Sequence, residues 1–164
     1  MRPNSHLTFS GYLMALYLCS VPLAETLIAA WPLQLGDPGW RYGATGLFSQ
    51  ALMTPLLGLL IAVCLAVYLQ HRVVSLALAV VSGLVALLTI AVIPLFLLDA
   101  IQMRARVGDG ATAAFDVATV FALLKMGATV LMGFAMALGA RSAARAMRVT
   151  TKGGTPIVTA SDLL

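Results

Sequence analysis

The chain has 164 residues, of which 61% are hydrophobic and only 10% charged, with a formal net charge of +4. Soluble domains carry about a quarter charged residues, so an ordinary water-soluble domain is excluded, and the length suits one compact bundle with no separate soluble domain. The basic residues are dispersed along the chain and form no DNA- or RNA-binding module, which removes nucleic acid as a partner.

The first apolar stretch predicts a helix over about 8–31, interrupted by Pro22 and Glu25. Membrane helices tolerate proline because neighbouring groups take over the freed carbonyl, so a kink near Pro22 is expected. Leu7 to Ala24 exceeds the usual apolar core of a secretion signal and no small-x-small cleavage site closes it, so it reads as a retained helix. Pro32-Leu-Gln-Leu-Gly-Asp-Pro-Gly39 reads as a turn, Asp-Pro-Gly presetting one dihedral and permitting the next. Trp31, Trp40 and Tyr42 flank it, and amphipathic rings collect at the membrane–water boundary, so all three are expected to anchor the interface.

Two charge-free runs follow, Tyr42–Gln70 (29 residues) and Val73–Leu98 (26 residues), joined only by His71-Arg72. A helix needs about 20 apolar residues to cross a bilayer. Both runs are long enough, and so short a joint turns them antiparallel. They predict a second helix over about 44–70, carrying Pro55, and a third over about 73–99, carrying Pro94. Residues 100–107 extend the third helix past the headgroups, and Gly108-Asp-Gly110 breaks it. The fourth helix is expected over about 113–148, with Asp116 in its first turn, where a negative charge complements the helix dipole. Arg141, Arg145 and Arg148 fall at spacings of four and three, a basic stripe suited to anionic headgroups. Residues 149–164 read as a flexible polar tail.

Four spans with short loops make an all-α, up-down-up-down transmembrane bundle over residues 1–148. Six Lys or Arg on the side of the termini (Arg2, Arg72, Arg141, Arg145, Arg148, Lys152) face three on the other (Arg41, Arg104, Arg106), which puts both termini in the cytoplasm. The alanine, leucine and valine bias suits a bacterial inner membrane.

Glu25 and Lys125 are the ionisable groups inside spans. A charge near mid-bilayer costs about 2.5–3.5 kcal/mol on insertion scales and usually faces the bundle interior. Ala118, Ala122, Lys125, Thr129 and Gly133 share one face of the fourth helix, and Gly11, Ala15, Cys19, Pro22, Glu25 and Ala29 one face of the first. Such small-residue faces pack closely. Gln50 and Thr54 on the second helix and Thr89 on the third complete an expected intramembrane polar layer: Glu25, Gln50, Thr54, Thr89, Lys125 and Thr129, centred on a Glu25–Lys125 pair. The pair serves either helix register or the passage of a proton, ion or polar substrate.

Cys19 and Cys64 form no C-x-x-C pair, so neither zinc nor a dithiol centre is expected. His6 and His71 are too few for a pair of bis-histidine haems and read as interfacial polar residues beside Tyr12 and Tyr68. Met126, Met132 and Met136 read as adaptable packing. Asp99, Asp109 and Asp116 flank the outer loop, where cation attraction and plain solvation explain them equally well. No metal, cofactor or catalytic constellation is therefore expected. The chain reads as a non-enzymatic integral membrane protein, a structural or assembly subunit of a larger membrane complex, with membrane lipids and other subunits or its own copies as partners. The alternative is a small oligomeric transporter or channel with a Glu25–Lys125 polar site; a haem- or quinone-binding redox protein comes third.

Overall fold

A computed structural model describes residues 5–152, with side chains at residue 6 and over 8–147. The elements are α1 (Ser5–Ala29), α2 (Pro38–Ala51), α3 (Met53–Tyr68), α4 (Arg72–Arg104) and α5 (Thr112–Lys152). Four stretches are long and apolar enough to cross a membrane: Thr8–Ala29, Pro38–Tyr68, Arg72–Arg104 and Thr112–Met147. The protein is a four-span helical bundle of the integral membrane class. Its sidedness fits that solvent: Ile28, Leu88, Leu131 and Leu138 point outward, whereas Ser49, Ser75, Ser82 and Thr129 are among the fully buried side chains.

The second span is two helices. Pro55 has no N–H to offer the Ala51 carbonyl, and the helix is interrupted at Leu52. The bonds on either side of the break, Leu52 N–H to Phe48 O and Leu56 N–H to Leu52 O, are intact at 3.0 Å. By contrast α1 and α4 run uninterrupted through Pro22 and Pro94. The Asp-Pro-Gly segment starts α2 instead of making a free turn. Asp37 stands at the N-cap, its carboxylate accepting the Gly39 N–H at 3.0 Å, and Pro38 fills the first helical position with its preset φ. Trp40, Arg41 and Tyr42 therefore belong to the first turns of α2.

The α3–α4 turn is a Schellman motif: His71 N–H reaches Ala66 O (2.9 Å) and Gln70 N–H reaches Val67 O (3.1 Å). Gln70 takes the left-handed position, φ 55°, that glycine usually fills. At the other end of α4 the expected extension continues to Arg104. The fourth span is longer than expected, because α5 includes residues 149–152, which the sequence assigns to the tail. Residues 153–164 of that tail lie outside the described residues. At 1.5 Å per residue α5 is roughly 60 Å long, about twice the hydrocarbon thickness, so its basic end projects beyond it.

In lipid, apolar surface gives no drive for helices to meet, and close van der Waals packing takes its place. Ser75, Ala79, Ser82, Ala86, Thr89 and Phe96 are buried in a rhythm of four and three on α4, and Ala122, Met126, Thr129, Gly133, Met136 and Ala140 are buried in the same rhythm on α5. A Cβ at Gly133 would stand 3.0 Å from Ser82 O and Ala86 Cβ, so the α4 and α5 backbones almost touch. The α1–α3 crossing is closer still: a Cβ at Gly58 would meet Ala15 O at 2.8 Å, and Leu18 Cβ and Cys19 Sγ at 2.9 Å. Among the described residues α1 packs on α2 and α3 alone, no Cα of it coming within 8 Å of α4 or α5. The broken second span is thus the centre of the bundle, with α1 on one flank and the α4–α5 hairpin on the other.

Candidate functional site

Two polar regions stand out, one at the end of the bundle that carries the 30–37 and 105–111 connections, the other deeper. At the end, Asp99 is buried, its side chain 5% exposed, and it receives Arg41 from the first turn of α2. Arg41 Nε donates to both Asp99 oxygens (3.2 and 3.0 Å), Nη2 to Oδ1 (2.5 Å), and Nη1 to Leu35 O (2.9 Å). Such a fork saturates the buried carboxylate, which is why it can remain there. Next to it Tyr42 is stacked between Phe96 and Phe115, at centroid distances of 5.1 and 4.9 Å, and its hydroxyl meets Thr119 Oγ1 at 2.7 Å. Trp40 Nε1 donates to Ala30 O at 3.0 Å, and Arg104 Nη2 to Asp116 Oδ2 at 2.8 Å. This clamp joins all four spans.

The sequence places Asp99 only among the charges that flank the outer loop. It continues the buried α4 stripe three residues beyond Phe96, so helical phase carries the signal for its burial. Its partner is hidden because the first turn of α2 reads as loop. Asp116 is likewise paired, while Asp109 is exposed.

The deeper region lies on the face made by α1, α2 and α5. A groove of about 260 Å³ between α2 and α5 is lined by Tyr42, Gly46, Ser49, Gln50, Phe96 and Lys125, among others. A second groove, about 350 Å³, between α1 and α2 is lined by Pro22, Glu25, Thr26, Ala29 and Ala51. Leu47 and Gln50 line both grooves. They form a ridge on α2 with Glu25 on one side and Lys125 on the other.

The expected Glu25–Lys125 ion pair does not form. The ion pairs among the described residues are Arg41–Asp99 and Arg104–Asp116, and α2 stands between the two helices concerned. Glu25 is exposed and Lys125 half-buried. The buried face of α1 drifts to Ala15, Thr26 and Ala30, which leaves Glu25 at its edge. On α5 the buried stripe includes Met126, one residue past Lys125, so the lysine turns toward the α2 groove. Of the remaining layer, Gln50 and Thr54 are exposed, whereas Thr89 and Thr129 are buried and donate to their own helices, at Val85 O (2.8 Å) and Lys125 O (2.9 Å). Glu25, Gln50 and Lys125 are thus drawn to one face, and Thr54, Thr89 and Thr129 are not part of it.

Of the aromatic trio, Trp31 is 73% exposed and free to meet headgroups; Trp40 and Tyr42 are half-buried in the clamp. Arg141 and Arg145 are exposed on α5; the Arg148 side chain lies outside the described residues. At the opposite end of the bundle His71 Nδ1 lies 3.1 Å from the Tyr12 hydroxyl, with the rings stacked at 6.1 Å, which ties α1 to the α3–α4 turn. His6 is exposed. Cys19 donates to Pro55 O at 3.4 Å, and Cys64 is exposed. No three His, Cys, Asp or Glu side chains among the described residues are grouped to hold a metal ion. Compared with protein-family models, with curated proteins and with solved structures, the chain matches none.

Proposed function

We propose that this integral membrane protein does no chemistry of its own and serves as a structural or assembly subunit of a larger membrane complex. The observation that carries this role is the α1–α2–α5 face, where Glu25, Gln50 and Lys125 line grooves and neither charge has an ion-pair partner among the described residues. Lys125 lies about 20 Å along α5 from its first residue, deep in the span. A charge at such depth costs about 2.5–3.5 kcal/mol, which favours any arrangement that covers it. Purification in mild detergent followed by native mass spectrometry tests the role: foreign subunits in fixed stoichiometry are expected, and a lone chain or copies of this chain alone would overturn it.

The Lys and Arg distribution favours both termini in the cytoplasm, on the side that holds Arg72, Arg141 and Arg145, and the alanine, leucine and valine bias suits a bacterial inner membrane. Reporter fusions to the termini and to the 105–111 connection check this; a reporter active outside the cytoplasm when fused to a terminus would reverse it. Transport is the second reading, favoured by an acid and a base flanking the same α2 ridge. Ion flux in proteoliposomes, lost in Glu25→Gln, would replace the subunit role by that one.

A further inference from the structure

We infer that the α1–α2–α5 face is self-complementary and seats a second copy of this chain about a two-fold axis along the membrane normal, each Glu25 meeting the Lys125 of the other copy. Across this face the helices stand in the order α1, α2, α5, with Glu25 on one side of the Leu47–Gln50 ridge and Lys125 on the other, each in a groove that these two ridge residues share. Copies inserted in one membrane share one orientation, so the closed two-fold open to them is the one along the normal. That rotation preserves depth and reverses the order of the helices. The groove that holds the acid of each copy then faces the groove that holds the base of the other, and Gln50 faces Gln50.

The same face has room for close approach. Gly43 and Gly46 precede Leu47 and Gln50 on α2 and line the Lys125 groove, yet beyond the adjoining residues and backbone of α2 no described atom stands within 4 Å of where a Cβ at either would be. Glycines on an outward helix face let another backbone come near. An apolar lipid chain or an uncharged partner helix would leave both charges unpaired; a second copy pairs four charges with no further component. This inference does not need the foreign subunits of the assembly role, and the two fail separately.

The test uses full-length protein in liposomes, as two differently tagged populations, with association read by energy transfer and by co-capture. Wild type is expected to associate as a dimer. Glu25→Lys alone sets base against base across the axis, and Lys125→Glu alone sets acid against acid, so each by itself should associate more weakly by roughly tenfold or more. Mixed together, the all-basic variant and the all-acidic variant again set an acid opposite a base at both contacts. Association between the tags should then return to within about twofold of wild type. A contact within one chain predicts no such rescue. Gly43→Leu, with both charges intact, should also abolish association, and it guards against charge variants that fail to insert. Monomeric wild type, single variants that dimerise as well as wild type, or a mixture no better than its components would each overturn the inference. A dimer without foreign subunits supports it and removes the assembly role; a foreign subunit bound to one copy does the reverse.

Discussion

The clamp at Arg41–Asp99 and the face at Glu25 and Lys125 hold the same ingredients, one acid and one base from different spans, and treat them oppositely. Asp99 is buried and saturated by an arginine fork whose remaining nitrogen is also bonded. Glu25 is exposed and Lys125 half-buried, in two grooves separated by the α2 ridge. Packing explains the difference. Arg41 rides on α2, which contacts α4 directly, whereas among the described residues no Cα of α1 comes within 8 Å of α5. An ionic contact that closes within the chain stabilises the fold; one left open at depth looks outward for its partner.

The comparison breaks most sharply if the clamp is not an energetic lock. Arg41→Met strands a buried carboxylate and should cost about 3–5 kcal/mol, read as unfolding free energy in detergent micelles. Arg41→Met with Asp99→Leu should cost distinctly less, because no buried charge is then left alone. Equal losses would show that the pair contributes only its packing. A smaller effect, about 1–3 kcal/mol, is expected for Gly58→Ala, whose methyl group meets the backbone oxygen of Ala15. It separates tight helix crossing from ionic contact as the source of stability.

Gln70→Gly should gain about 1 kcal/mol by relieving the left-handed φ at the α3–α4 turn, with the fold unchanged. The smallest effect sharpens the contrast most. Glu25→Gln and Lys125→Met should change the stability of the isolated monomer additively, with a coupling below about 0.5 kcal/mol. A coupling of about 1 kcal/mol or more would mean that the two charges sense each other within one chain after all.

Much of the bundle is readable without coordinates. The number of spans and the tight antiparallel turn at His71 follow from local composition; the structure moves that turn to residues 69–71, with Arg72 already in α4. Helix limits are less legible where one signal has two meanings. Asp37-Pro38-Gly39 serves equally as a turn and as a helix cap, and the helical bond from Arg41 N–H to Asp37 O (3.0 Å) distinguishes them. The polar layer is legible as a set of residues with helical phases but not as a set of contacts. Phase says which side of its own helix Glu25 occupies, and nothing in it says which helix stands opposite.

What the sequence determined by itself, therefore, is what hydrocarbon and helix period govern: four crossings and their antiparallel joints, with small-residue stripes on the first, second and fourth spans. What only the tertiary structure decided is adjacency. Gly58 draws α1 onto α3 and Gly133 draws α5 onto α4, so the second span fills the middle and keeps the first away from the fourth. The reason is physical: where lipid replaces water, helices choose neighbours by how closely their backbones fit. That choice gave Asp99 its arginine and left Glu25 exposed and Lys125 half-buried in the α2–α5 groove, on opposite sides of α2.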